Sequence, residues 1–448
     1  MILPITFGQL PCHRRAAALI AEEGDYTMKA ARMFRFGSAV LGAISIVSPS
    51  VAQTPARLDD PQAMVTDQVT RGEYLARAGD CVACHTKPGG APYAGGLAFK
   101  LPFGTLYSRN ITPDIDTGIG AWSDEDFLRA MQKGVAKGGE HLYPAFPYTA
   151  YTKLSRDDIL TIKAYIFSLV PVRSVPPENN LAFPFNQRWA MMFWNLLFNP
   201  DKRFEPDPAQ SPEWNRGNYL VEALEHCGEC HTPRRITQNL NNSQKFAGTV
   251  TQGWMAYNIT SHLQSGIAGW TDAALTTYLT TGHAEGHSSG SGPMAEAIVN
   301  SLRYLTSADI RAIVVYLRSI APIETVGAIT QNPPAVSGAK PAAGLGAQVF
   351  AGNCANCHDW NGKGAQTPYA SFLGSRTVND PAATNIMAIV LSGSKMPLPA
   401  EHVFMPPFGR GHSDDEIAAV SNFINGHFGN GTAALTAADV VKARKALP

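Results

Sequence analysis

Three pentapeptides constrain this chain more than anything else in it. Cys81–His85, Cys227–His231 and Cys354–His358 each read Cys-x-x-Cys-His, and together they use six of the seven cysteines. That spacing is the attachment motif for c-type haem. The two thiols add across the haem vinyl groups, and the histidine that follows is placed to bind the iron from one face. Cys81, Cys84, Cys227, Cys230, Cys354 and Cys357 are therefore the expected covalent anchors of three haem c groups. His85, His231 and His358 are the expected axial ligands. Zinc is the competing use of a Cys-x-x-Cys pair. It requires pairs of pairs, and it does not account for a histidine directly after every second cysteine.

The rest of the chain repeats around these motifs. A length of 448 residues allows roughly two to four domains, and three separated motifs favour three. Arg71-Gly72-Glu73-Tyr74-Leu75 precedes the first motif, and Arg216-Gly217-Asn218-Tyr219-Leu220 precedes the second. Asn110-Ile111-Thr112 recurs as Asn258-Ile259-Thr260, with Trp122 and Trp270, then Gly134 and Gly282, at matching offsets. Such offsets mean a duplicated domain. Each segment closes with a capped helix: Ser155-x-x-Asp158, Thr306-x-x-Asp309 and Ser413-x-x-Glu416 read as capping boxes. Behind them, apolar residues recur at helical spacing, with Tyr165, Tyr316 and Phe423 in equivalent places. The expected fold is mainly α, three tandem domains at 66–172, 211–322 and 343–430. A linker at 173–210, a second at 323–342 and a tail at 431–448 join and end them. The third segment lacks the Asn-Ile-Thr block and is the more distant copy. With 36 basic against 36 acidic residues, nothing points to nucleic acid.

Residues 28–52 read as a secretory signal. Lys29, Arg32 and Arg35 are followed by an apolar run, Phe36 to Val47, and by Ser50-Val51-Ala52 as a cleavage site. The acidic Glu22, Glu23 and Asp25 do not suit such a leader, so Met28 is the expected start. Removal of 1–52 takes Cys12 with it, and export to the periplasm follows. No later stretch has the ~18 continuous apolar residues of a transmembrane helix. The first linker contains Leu181 to Phe198, rich in Phe, Trp and Met. It is expected to pack between domains or against a partner, because helices of a membrane interface usually carry more Lys and Arg.

An electron carrier usually has both faces of its iron ligated, often by His and Met. Domain two offers Met294 after Pro293, and domain three offers Met405 before Pro406 and Pro407, with Met396 as a rival. Each is expected in a Pro-stiffened loop. In domain one Phe146 stands at the expected methionine position. That leaves His141 from the same loop, Met131, or an open sixth position.

This layout resembles the tri-haem cytochrome c subunit of bacterial membrane-associated dehydrogenases. Its marks are the three motifs, the Gly-Glu-Tyr-Leu lead-in and the Asn-Ile-Thr…Gly-Ile-Gly…Trp block, and the likeness runs from Arg71 to Phe428. The family includes the cytochrome subunits of alcohol, gluconate and fructose dehydrogenases and of molybdenum hydroxylases. The resemblance implies three tandem cytochrome c domains. It also implies a catalytic partner of molybdenum, flavin or quinoprotein type, association with the membrane surface, and delivery of electrons to ubiquinone or a terminal oxidase. In the alcohol dehydrogenase branch the first loop reads Pro-Ala-Met-Pro-Tyr. Phe146 departs from that and looks more like the subunits paired with molybdenum hydroxylases. The chain has no dinucleotide, P-loop, flavin or quinoprotein signature of its own. Two other classes stay open: a peroxidase-like haem enzyme with an open iron in domain one, and a free-standing periplasmic shuttle.

Overall fold

In each domain a helix ahead of the haem motif crosses a helix at the domain's end, and a glycine makes the crossing possible. The leading helices are Pro61–Ala78, Pro212–Tyr219 and Leu345–Asn353. The closing helices are Arg156–Ser168, Ser307–Ser319 and Asp414–Phe428. A Cβ added to Gly72, Gly217 or Gly346 would lie 2.2, 2.0 or 2.3 Å from a backbone oxygen of the closing helix. It would also meet the Cβ of Tyr165, Tyr316 or Phe423 at 2.8, 2.8 or 2.7 Å. The repeated glycine and the repeated aromatic are thus two sides of one contact. A middle helix completes each domain: Asp124–Lys133, Asp272–Thr281 and Thr384–Ser392.

The computed structural model describes residues 61–325, 344–398, 402–429, 431 and 433–447. All lie within one compact unit, Ala56–Pro448. The stretch expected as leader and signal, Cys12 and most of the second linker fall outside the described residues. The fold is mainly α. Its strands form short hairpins, such as Ala98–Leu101 with Gly104–Tyr107, to which Asn180–Leu181 adds a third strand.

Domains one and two share a continuous apolar core. Leu75, Phe127 and Ile162 of the first join Leu220, Ile298 and Ile313 of the second. The seam is symmetric. Tyr74, on the leading helix of domain one, donates to Asp309 of domain two at 2.6 Å and accepts from the Thr306 N–H at 3.2 Å. Tyr219, on the leading helix of domain two, donates to Asp158 of domain one at 2.5 Å and accepts from the Ser155 N–H at 3.3 Å. Each tyrosine hydroxyl is therefore inserted into the other domain's helix cap. In a complete capping box the carboxylate at the third helical position takes the N-cap N–H itself. Here the first half of the box stands, since Ser155 and Thr306 accept from Asp158 N and Asp309 N. The second half runs through the foreign hydroxyl. Arg71 and Arg216 bind the same two carboxylates. Domain three has Gln348 where the tyrosine would stand, and its Ser413–Glu416 box closes on itself.

Domain three has its own core around Phe350, Ile417 and Phe428. Its hairpin Ser394–Pro397 with His402–Met405 sends Met396 and Leu398 into the core of domains one and two, while Trp254 of domain two enters the core of domain three. The stretch expected as a tail is a helix, Ala437–Ala446, with a complete box at Thr436 and Asp439. It buries Val440, Ala443 and Leu447 against domain three, and Arg444 reaches Asp414 at 2.8 Å. The alternation there is weak in sequence because one buried stripe of three residues suffices.

Tyr74→Phe and Tyr219→Phe should each destabilise the protein by about 1–3 kcal/mol, because each leaves a cap N–H and a carboxylate oxygen short of a partner. Asp309 also gives the seam a pH dependence. Burial would raise its pKa, but the bonds from Arg216 and Tyr74 outweigh burial and hold it below the ordinary range. A lowered carboxylate contributes its full stability above the unfolded value, about 3.9, and loses it as pH falls through the folded one. The Tyr74→Phe loss should therefore shrink in acid below about pH 4. Unfolding of wild type and variants at pH 7 and pH 3 checks this; equal midpoints at pH 7 would refute it.

Candidate functional site

The haem motifs occupy single helical turns. Cys81–Cys84, Gly228–His231 and Ala355–His358 are short helices, and residues three apart on a helix lie on one face. Both thiols of each pair therefore present together. All six are free of disulfides. Burial pushes the Cys81 thiol up to about 12, and Cys230 and Cys354 to about 11. These three are held as thiols, away from the thiolate that zinc binding or nucleophilic attack needs, whereas a thioether carries no proton. Among the described residues no three His, Cys, Asp or Glu side chains converge as a metal site, so the pairs of pairs that zinc requires are not formed.

The three histidines are held alike. His85 Nδ1 lies 2.7 Å from the Arg109 carbonyl, His231 Nδ1 2.6 Å from the Tyr257 carbonyl, and His358 Nδ1 2.7 Å from the Ala370 carbonyl. A carbonyl only accepts, so each Nδ1 carries the proton and each Nε2 keeps its lone pair. That is the tautomer an iron ligand needs, fixed by a backbone partner. Burial lowers the pKa of all three imidazoles, keeping them neutral. The residues fit a covalent haem at each motif.

The Asn-Ile-Thr block supplies this geometry. Arg109 and Tyr257 immediately precede Asn110 and Asn258. Asn110 Oδ1 accepts from the N–H and hydroxyl of Thr112 at 2.9 and 2.8 Å, and its Nδ2 donates to the Val172 carbonyl at 2.8 Å. Asn258 repeats this with Thr260 N–H at 2.8 Å and the Ile323 carbonyl at 2.6 Å. The asparagine ties the loop that orients the histidine to the chain leaving the closing helix. Domain three replaces the block with the 3-10 turn Pro368–Ala370, which explains why the motif is missing there.

The proposed sulfur ligands lie on regular elements, not in loops. Met294 is in the first turn of the helix Gly292–Asn300, where Pro293 suits the helix start. Met405 ends the strand His402–Met405, opposite Ser394. Met396 is only 1% exposed, and a Cβ on Gly282 would lie 2.3 Å from its sulfur. Its sulfur is thus directed at domain two. Met131 is buried in the shared core.

Domain one differs, as its loop predicts. Phe146 packs against Tyr151, ring centroids 5.5 Å apart, on the edge of the shared core. His141 pairs by backbone with Val135, and its Nδ1 lies 3.3 Å from Asn195 Nδ2. That amide nitrogen also donates to the Lys133 carbonyl at 3.1 Å, so it is the NH2 end, and His141 Nδ1 must accept. A ring held this way carries its proton on Nε2, the reverse of the three motif histidines. Ligation of iron through Nε2 would need that proton to move to Nδ1 and the bond from Asn195 to give way. Nothing in the spacing of the loop revealed this, because Asn195 comes from the linker.

That linker forms the helix Met191–Phe198. Asn195 faces domain one, and Trp194 Nε1 donates to the Thr237 carbonyl of domain two at 2.8 Å. The expected packing between domains is therefore made by one side of the helix. The other side is bare: Leu196 is 82% and Leu197 72% exposed, beside Trp189, Met192 and Phe193.

The comparisons with known proteins agree with this geometry. The Cytochrome c family profile matches residues 69–169 and 343–427. The chain is 38% identical over 397 residues to the gluconate 2-dehydrogenase cytochrome c subunit of Pantoea cypripedii, covering 84% of this chain and 89% of the relative. It is 37% identical over 428 residues to the fructose dehydrogenase cytochrome subunit of Gluconobacter japonicus, covering 90% and 86%. A third relative is the cytochrome c subunit of the quinone alcohol dehydrogenase of Gluconobacter oxydans, at 35% over 394 residues, covering 84% and 82%. The oriented histidines and a likeness that spans most of both chains lead to one conclusion: this protein belongs to the family of cytochrome c subunits of dehydrogenases.

Proposed function

We propose that the chain carries three covalent haems c and passes electrons from a catalytic dehydrogenase subunit to ubiquinone or a terminal oxidase. The observation that carries this reading is the shared state of His85, His231 and His358, each with Nδ1–H tied to a backbone carbonyl. The names of the relatives support a dehydrogenase partner. When bound, each haem supplies a one-electron iron couple. The chain's own part is to hold the cysteines and histidines on rigid helical turns, keep the imidazoles neutral, and exclude water with the shared core. Met294 and Met405 are the proposed second axial ligands of haems two and three. His141 is the proposed second ligand of haem one, in a loop where Phe146 stands at the methionine position; ligation through Nε2 would move its ring proton to Nδ1 and give up the bond from Asn195. The proposed location is the periplasmic side of the cytoplasmic membrane, after removal of 1–52. Among the described residues no helix is long and apolar enough to cross a membrane. The bare side of Met191–Phe198 is the proposed contact with the complex or the membrane surface.

Intact mass of the denatured protein should show three haem additions, one on each motif peptide; zinc with no haem would end the reading. Met294→Ala and Met405→Ala should each remove part of the sulfur-to-iron absorption near the red edge and lower one midpoint potential, because thioether ligation raises it. Unmoved potentials in both would overturn the assignment. Purified under mild detergent, the chain should bring with it a large catalytic subunit, and the chain alone should oxidise no substrate. Substrate turnover by the isolated chain would favour the enzyme class instead.

A further inference from the structure

Domain three places a buried cation inside domain two. Arg376 opens the short helix Arg376–Asn379 and is 6% exposed. Its guanidinium crosses to domain two, where Nη1 donates to the Asn258 carbonyl at 3.1 Å and Nη2 donates to the Ser265 carbonyl. Its carbon lies 5.0 Å from the centre of the Tyr257 ring. Nε has no hydrogen-bond partner. Among the described residues no carboxylate comes within ion-pair distance of it. Asp380, one turn further on, is also buried and feels its field without pairing. Burial lowers the Arg376 pKa to about 10, which leaves it charged at neutral pH.

A buried guanidinium without a carboxylate is costly, and helix geometry within domain three does not require one. Its surroundings explain where the charge acts. Tyr257, whose ring it covers, is the residue whose carbonyl holds His231 Nδ1 at 2.6 Å. Asn258, which it also grips, anchors the same loop. The charge therefore sits on the histidine side of the second haem motif. Oxidised iron carries one more positive charge than reduced iron, so a fixed cation behind the axial histidine disfavours the oxidised form. In a buried site, little solvent screens that effect.

We propose that Arg376 is a positioning residue of haem two supplied by domain three. It fixes the loop behind His231, holds the potential of the haem on Cys227 and Cys230 high, and makes that potential depend on the docking of domain three. This rests on the haem reading above, and mass mapping of the Cys227–His231 peptide tests that reading separately. Haem absent from that peptide in wild type would sink the reading itself.

The test is a spectroelectrochemical titration of the full chain with all three haems. Arg376→Met should lower the midpoint of one haem and leave the other two in place. Arg376→Lys, which keeps the charge, should bring that midpoint part of the way back. Three unchanged midpoints in Arg376→Met at wild-type haem content would overturn the proposal. A drop that lysine and methionine share equally would also overturn it, because that is the mark of a purely structural clamp. If Arg376→Met loses haem, Arg376→Gln, which can still donate to the Asn258 and Ser265 carbonyls, is judged by the same two criteria.

Discussion

A tyrosine hydroxyl inserted in the helix cap of the neighbouring domain is the contact on which the arrangement of the first two domains depends. Tyr74 completes the cap of the helix that begins at Ser307, and Tyr219 completes that of the helix that begins at Arg156. The interface is isologous in the sense used for twofold dimers, although both halves belong to one chain. Arg71 and Arg216 hold the two aspartates in place, so charge, hydroxyl and backbone N–H are satisfied together. The same seam closes a common apolar core. Either domain alone would leave an open cap and a bare face. Domain three, which lacks the tyrosine, caps its own helix with Ser413 and Glu416.

Rigid placement of the histidines follows from that frame. Each closing helix is fixed against its leading helix at a glycine, and the asparagine of the Asn-Ile-Thr block ties the chain beyond the closing helix back to the loop that orients the imidazole. A partner that fixes the tautomer also fixes the direction of the lone pair. The two-domain seam, the helix crossing and the ligand geometry are thus successive links in one path from packing to chemistry.

Much of this was legible in the residues. The Cys-x-x-Cys-His spacing, the repeat offsets and the closing-helix caps are local patterns, and local patterns survive in sequence. What a carboxylate binds is not local. Asp158 and Asp309 occupy the capping position as read, yet their second partner comes from the other domain, because a tyrosine two residues past Gly72 or Gly217 reaches it first. Met396 and Met405 look equivalent beside their prolines. They lie on the same face of one hairpin, and only tertiary packing sets Met396 in the core of domains one and two and Met405 against that of domain three. His141 reads as a candidate ligand, and nothing in its loop shows that Asn195 of the linker meets its ring. Arg376 carries no motif at all, and its importance appears only when domain three is seen against the Tyr257 loop.

The glycine that ends the middle helix is covered differently in the two repeats. A Cβ on Gly134 would meet the ring of Tyr148 at 2.7 Å, a residue of the same domain. Over Gly282 lies Met396, from domain three. The middle helix of the first domain is therefore covered by a residue synthesised soon after it, whereas that of the second must wait for a segment more than a hundred residues later. Domains tend to fold in order of synthesis, and here the internal twofold is broken in time: one middle helix can be covered early, and the other stays bare until the last third of the chain arrives.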